Sequence, residues 1–160
     1  MPAPIKPIPD GYHTLTAYII LRDAANAIEF YKKAFGAVEC LRMPGPDGKT
    51  IGHAELKIGN SMLMLADEAV SPTNKSPQTL KGNTFCFAMY VEDADASFHR
   101  AVAAGATVLQ PLENKFYGDR SGMVVDPYGY QWALMSHVED VSPEEMEKRI
   151  AAEYAKMANA

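Results

Sequence analysis

Apolar and polar residues alternate most regularly over residues 51–59, IGHAELKIG. His53, Glu55 and Lys57 fall on one face of this segment, and the apolar residues between them fall on the other. A period of two is typical of a β-strand that is buried on one face. The apolar segment 61–66 follows directly, so the turn IGNS between the two segments predicts a β-hairpin.

Two other segments, residues 23–36 and 93–106, repeat their apolar residues at the spacing of an α-helix. Asp23 is a predicted N-cap of the first helix, and Gly36 and Gly105 are predicted to end the two helices. The remaining apolar and β-branched segments predict strands. The predicted strands cover residues 13–21, 37–43, 51–59, 61–66, 84–91, 107–112, 120–126 and 130–137.

The order of these elements recurs at an offset of about 70 residues. AIEFYKKAFGA corresponds to SFHRAVAAGA, and IGNSMLML aligns with YGYQWALM on Gly59 and Gly129. Each copy has the order strand, helix, strand, strand, strand. One copy alone would bury too little apolar surface to be stable, so two modules are expected to share a core. The predicted fold class is therefore α+β, with two βαβββ modules.

The segments outside the modules differ from them in composition. Residues 1–12 contain four prolines, which favour an extended arm and exclude a helix. Ser142, Pro143 and Glu145 form the start signal of a helix, with a capping box. The predicted organisation is an arm at 1–12, a first module at 13–66, a linker loop at 67–83, a second module at 84–137 and an added C-terminal helix at 138–160.

Composition and charge narrow the classes of partner. The 160 residues carry a net charge of -5, with a sequence pI of about 5.3, which argues against binding to nucleic acid or to an anionic membrane. No apolar run approaches the length of a membrane-spanning helix, and the N-terminus lacks an apolar signal core, so a cytoplasmic location is expected. Cys40 and Cys86 form no CxxC pair, and both thiols are expected to be reduced.

Three segments together point to a family: AIEFYKKAFGA, YVEDADASFHRAVAAGA and VVDPYGYQWALM. Over residues 13–137 the chain resembles the vicinal oxygen chelate superfamily of glyoxalases, bleomycin resistance proteins and dioxygenases. HAELKIGNSMLMLADE and DPYGYQWALMSHVEDVSPEEMEKR are similar to the PhnB-like branch. This resemblance implies pseudo-two-fold symmetry between the modules, sheets that curl around a cavity, and a homodimer.

Many members of this superfamily chelate a divalent metal with His and Glu side chains in the cavity. The resemblance implies that the ligand positions of this chain are Thr16, Leu63, Cys86 and Ala133. A divalent ion needs three or more imidazole, carboxylate or thiolate ligands, and of these four only the cysteine qualifies. The expected cavity therefore holds no metal and no other cofactor.

The alternation along the strands predicts which side chains line the cavity and contact a ligand. The predicted ligand-binding residues are Thr16, Tyr18, His53, Glu55, Leu63, Cys86, Tyr90, Met123, Gln131 and Ala133. The candidate catalytic residues are His53 and Glu55, because a carboxylate beside an imidazole can orient it as a base. The same pair is also typical of an ordinary polar strand face. Trp132 is predicted to point toward the helix.

Three functions remain open at this point. The favoured one is a metal-free protein that binds a small organic molecule. The second is an enzyme, either a metal-dependent lyase, isomerase or dioxygenase whose relocated ligands are His53, Glu55 and a third group such as His13 or Cys86, or an acid–base catalyst. The third is a non-catalytic dimeric scaffold. The fold class alone does not decide among them.

Overall fold

The computed structural model describes residues 5–158, which form two compact units that divide between Thr84 and Phe85. Each unit contains one four-stranded mixed sheet and the helix that follows its first strand, so the predicted α+β class with two βαβββ modules is confirmed. The added C-terminal helix is also present. The first four residues of the predicted arm and the last two of the chain lie outside the described residues.

The first unit contains the elements β1 (Ala17–Leu21), α1 (Ala24–Phe35), β2 (Val38–Pro44), β3 (Ile51–Ile58) and β4 (Ser61–Asp67). The strands lie in the order β1-β4-β3-β2, with β1 parallel to β4 and the other neighbours antiparallel. The first strand begins later than its sequence pattern predicts. The predicted linker contains a 3-10 helix (Glu68–Val70) and a short helix α2 (Pro77–Leu80).

The helix α1 forms where its capping residues predict. The Asp23 side chain accepts a hydrogen bond from the backbone N–H of Asn26, and Gly36 ends the helix at a φ of 66°, in the left-handed region. The buried face of α1 packs on one face of the sheet, which contributes the buried side chains of Ile19, Leu56 and other apolar residues. Full burial of one such side chain contributes about 1.5–3 kcal/mol.

The second unit contains β5 (Cys86–Tyr90), α3 (Ala94–Ala104), β6 (Thr107–Asn114), β7 (Asp119–Val125), β8 (Gln131–His137) and the added helix α4 (Pro143–Ala158). The strand order is β5-β8-β7-β6, again with one parallel pair, β5 and β8. The two units therefore share one topology.

The hairpins between the last two strands of each unit differ in length. In the first unit Ile58 pairs with Ser61, so two residues form the loop between β3 and β4. In the second unit Val125 pairs with Gln131, and residues 126–130 form the loop between β7 and β8. In both hairpins the first paired residue of the last strand lies two residues after the turn glycine and shares the face of its partner. Ile58 lies on the face that packs against α1, whereas Val125 lies on the face opposite the one that packs against α3. Positions at equal distances after the two turn glycines consequently point to opposite faces of their sheets.

The helix α4 is tied to the second unit at its first half. The Ser142 hydroxyl accepts a hydrogen bond from Glu145 N at 3.3 Å, as the capping box predicts. The Arg149 guanidinium donates to both carboxylate oxygens of Glu139 at 2.8 and 2.7 Å and to Phe116 O at 3.2 Å. Within residues 5–158 no helix has the length and apolar character needed to cross a membrane. The expectation that two copies of the protein form a homodimer stays a prediction.

Candidate functional site

The face of the first sheet that points away from α1 carries the polar residues singled out from the sequence. Across the sheet, Tyr18 pairs with Met64, Met64 pairs with Glu55, and Glu55 pairs with Leu41. Residues that pair directly across strands point to the same face. His53 lies two residues before Glu55 and shares this face, as does its partner Met43. We call this surface the His53 face.

A continuous line of hydrogen bonds runs along the His53 face. The hydroxyl of Tyr12, which belongs to the N-terminal arm, donates to the Glu55 carboxylate. Glu55 Oε1 lies 3.2 Å from His53 Nε2, and His53 Nδ1 lies 3.0 Å from the Tyr18 hydroxyl oxygen. The side chains of His53 and Glu55 are 23% and 19% exposed, so the middle of the line is largely screened from water.

The electrostatics of this line follow from its contacts. The hydrogen bond from Tyr12, followed by that from His53, lowers the pKa of Glu55 below its usual range. The same bond to Glu55 raises the pKa of Tyr12 to about 12, because losing the proton would set two negative charges side by side. Burial raises the pKa of Tyr18. At neutral pH the Glu55 carboxyl in this line is therefore ionised, and the phenols of Tyr12 and Tyr18 keep their protons.

These protonation states give the line a direction. An ionised carboxylate only accepts hydrogen bonds, so Glu55 takes one from Tyr12 and one from His53 Nε2–H. In the form of His53 that carries a single ring proton, that proton is on Nε2, so Nδ1 is an acceptor and the Tyr18 hydroxyl donates to it. The line begins at the tyrosine of β1 and converges on the carboxylate of β3.

The prediction that Leu63 shares this face is wrong. Leu63 pairs with Ala17 and Leu56 and is only 4% exposed, on the face of the sheet that packs against α1. Alignment of Gly59 with Gly129 matches Leu63 to Ala133, but the closing pairs Ile58–Ser61 and Val125–Gln131 lie on opposite faces of their sheets. Met64 takes the place on the His53 face that was assigned to Leu63.

The predicted site residues of the second unit lie on one face of their own sheet. Cys86 pairs with Gln131, and Ala133 pairs with Met123 on one side. On its other side Ala133 pairs with Ala88, and Tyr90 lies two residues after Ala88 on the same strand. Trp132 points to the opposite face, as predicted, where it stacks on Phe87 with ring centroids 4.3 Å apart. That the predicted site residues of this unit contact a ligand stays a prediction. The same holds for Thr16, which precedes β1.

A second polar cluster in this unit was not anticipated from the sequence. The Tyr90 hydroxyl donates to Asp119 Oδ2 at 2.7 Å, and His137 Nδ1 lies 2.9 Å from Asp119 Oδ1. The other ring nitrogen of His137 lies 2.8 Å from Asp140 Oδ1. Asp119 opens β7 after a turn and lacks any alternation signal, and it is only 4% exposed. No pattern in the sequence connects His137 to Tyr90.

An open cavity of about 390 Å³ lies elsewhere in the first unit and contains none of the predicted site residues. It is lined by Arg22, Glu68, Ala69, Ser71, Lys75 and Thr79. The Glu68 carboxylate accepts hydrogen bonds from the hydroxyls of Ser76 and Thr79, which together with other contacts lower its pKa to about 2. These bonds organise the segment between the two modules.

The residues fit a divalent metal poorly. After the correction at Leu63, the inherited positions hold Thr16, Met64, Cys86 and Ala133, of which one supplies a usual ligand for such an ion. Within residues 5–158, no three His, Cys, Asp or Glu side chains are grouped so that they could hold a metal ion. The displaced set that combines His53 and Glu55 with a third ligand is therefore not assembled in the described part of the chain.

Two α+β units with identical strand order, each with a helix on one side and polar residues on the other face of the sheet, define the paired βαβββ class of proteins. The chain belongs to the Glyoxalase/Bleomycin resistance protein/Dioxygenase superfamily, whose family model matches residues 12–134. The resemblance inferred from the sequence is thus confirmed.

Individual relatives agree with this assignment. An uncharacterized protein of Mycobacterium bovis is 42% identical over 142 residues, which cover 87% of this chain and 93% of the relative. The crystal structure of TioX from Micromonospora sp. ML1 is similar with a TM-score of 0.62 at 29% identity, over 79% of this chain and 99% of that one. The PhnB protein from Bacillus cereus shares the fold, with a TM-score of 0.61 at 19% identity over 78% and 99% of the two chains.

Proposed function

We propose that this protein binds a small organic molecule on the His53 face and does so without a metal ion. The observation that carries the proposal is the line of hydrogen bonds from Tyr18 through His53 to Glu55. Binding sites for small molecules are mostly apolar surfaces in which a few polar groups are held in fixed orientations. Here the fixed polar groups stand among Leu41, Met43 and Met64.

The apolar part of the His53 face suits a flat or irregular ligand. Leu41 is 40% exposed and Met43 is 50% exposed, so both retain surface that a ligand can cover. Methionine side chains are flexible and polarizable and adapt to aromatic groups. The half-buried Met64 stands between Tyr18 and Glu55 in the pairing across the sheet. A ligand on this face would contact methionine on one side and the polar line on the other.

Ligand binding is tested with a panel of small aromatic and aliphatic compounds, measured by calorimetry and by the shift in thermal unfolding. A compound that binds only the native state raises its stability in proportion to ligand concentration. His53→Ala should weaken binding about tenfold or more, which corresponds to about 1.4 kcal/mol. The matched control is His99→Ala on α3, an exposed histidine that lies far from the His53 face in the sequence. Equal affinities of the two variants would contradict the proposal.

The absence of a metal is tested by elemental analysis of the purified protein after dialysis. We expect no stoichiometric zinc, nickel, manganese or iron, and a thermal midpoint that chelators leave unchanged, because no bound ion would favour the native state. About one ion per chain, lost in His53→Ala, would instead support the metal-dependent alternative of this superfamily.

A further inference from the structure

The proposed function leaves open which chemical class of ligand the His53 face accepts. Building on that function, we infer that the ligand is a weakly acidic hydroxyl compound, a phenol or an enol, which donates its O–H to Tyr18 and is bound as its anion while the proton passes on to His53. Tyr18 touches the ligand, and His53, Glu55 and Tyr12 act through it.

The Tyr18 hydroxyl oxygen, which forms the outer end of the hydrogen-bond line, is free to act as a hydrogen-bond acceptor. The Tyr18 hydroxyl uses its single proton in the bond to His53 Nδ1, and within residues 5–158 no group donates to its oxygen. Tyr18 is 48% exposed, so the lone pairs of that oxygen can be reached by a ligand. A ligand group that forms a hydrogen bond with this oxygen must therefore be the donor of that bond.

The inner end of the line is built to accept a proton. When a ligand O–H bond breaks, a new O–H bond forms on Tyr18, and the proton that Tyr18 held moves to His53 Nδ1. The imidazolium that results keeps its Nε2–H bond to the Glu55 carboxylate, which stabilises its positive charge. Tyr12 holds this carboxylate from the other side. The step transfers one proton, needs no oxidant or reductant, and leaves the summed charge of ligand and line unchanged.

The charge of the line excludes other ligand classes. A carboxylate or phosphate ligand would bring its negative charge next to Glu55 with no proton to contribute, and like charges at short range repel. An ordinary aliphatic alcohol can donate a hydrogen bond but is too weak an acid to give up its proton to an imidazole. A phenol or enol satisfies both conditions, and its flat unsaturated part can lie on Met64 and Leu41, whose side chains share the face.

The test uses 4-nitrophenol, whose absorption spectrum differs between the phenol and the phenolate. The full-length protein is titrated into the probe at a pH below the pKa of the free probe, and the affinity and the spectrum of the bound probe are recorded together. We expect the bound probe to show the phenolate spectrum, with an apparent pKa lowered by one unit or more, a tenfold or greater shift in its ionisation equilibrium.

Three conservative variants separate the relay from simple binding. Tyr18→Phe and Glu55→Gln should each abolish the phenolate spectrum of the bound probe, while affinity for the neutral phenol falls by only a few-fold. Tyr12→Phe should reduce the pKa shift partially, because one of the two bonds to Glu55 remains. The matched control is Tyr154→Phe, an exposed tyrosine on α4, which should leave both spectrum and affinity unchanged. Circular dichroism of each variant verifies that the fold is retained.

The outcomes distinguish this inference from the proposed function. A probe that binds with the spectrum of the neutral phenol, or one whose phenolate spectrum survives in Tyr18→Phe, overturns the inference and leaves ligand binding intact. Binding of non-acidic compounds without any binding of phenols also overturns it. Failure of every compound in the panel to bind would instead remove the proposed function itself.

Discussion

Removal of the Asp126 carboxylate tests whether the second unit depends on one buried acceptor. Asp126 is 4% exposed and begins the loop between β7 and β8. Its Oδ1 atom accepts hydrogen bonds from the backbone N–H groups of Tyr128 and Tyr130, each at 2.9 Å, and its Oδ2 atom accepts one from Trp132 Nε1 at 3.0 Å. The carboxylate therefore fixes both the loop and the orientation of the indole.

The cost of Asp126→Ala follows from the donors that it leaves behind. A buried donor without a partner costs about 1–3 kcal/mol. Tyr130 and Trp132 are buried, whereas Tyr128 is half-buried and can reach water. Counting the two buried donors, we expect a loss of about 2–6 kcal/mol, a large part of the roughly 5–15 kcal/mol that stabilises a typical domain. Asp126→Asn should lose less, because it keeps one acceptor oxygen for the loop.

The assay is urea denaturation followed by far-ultraviolet circular dichroism and by fluorescence of Trp132, the single tryptophan of the chain. The matched control is Asp47→Ala. Asp47 also accepts three hydrogen bonds in a turn, from Lys49 N, Thr50 N and the Thr50 hydroxyl, but it is exposed and water can replace it. If both variants lost the same small amount of stability, the reasoning from buried donors would be refuted.

Two further predictions concern the second unit. The carboxylates of Asp140 and Asp119 raise the pKa of His137 above its ordinary value of 6.5. Their stabilising effect is therefore complete at pH values below 6.5, and it is lost as the pH rises through the higher pKa of the folded state. His137→Gln should remove this part of the pH dependence of urea unfolding. A Cβ at Gly122 would lie 2.6 Å from a ring carbon of Phe98, so Gly122→Ala should destabilise the protein by about 1–3 kcal/mol in the same assay, and a neutral result would contradict the packing.

The regular elements of this protein follow from short-range patterns in its sequence. The alternation around His53 and Glu55 predicts β3 and the face that these residues share, and Asp23 and Gly36 bound α1 as their capping roles require. Such patterns depend on residues a few positions apart, whose geometry is set by the local backbone period. The repeat at a separation of about 70 residues then predicts the two modules.

The face on which Leu63 lies was decided by tertiary structure. The alternation within β4 is visible in the sequence, but its phase relative to the other strands depends on which residues pair to close the preceding hairpin and on the face where that pair lies. The glycine alignment with the second module suggested the wrong phase. Met64 consequently occupies the position next to Tyr18 and Glu55.

The residues of the hydrogen-bond line also divide into those that the sequence predicts and those that only the tertiary structure brings together. The sequence by itself determined that His53 and Glu55 share a strand face, because they are two residues apart. It could not show that Tyr18 and Tyr12 complete the line, since the first belongs to a strand 35 residues earlier and the second to an arm without any periodic pattern. Contacts between such distant segments arise only when strand pairing brings them together, so the tertiary structure decided the direction of the line and the chemistry of its outer end.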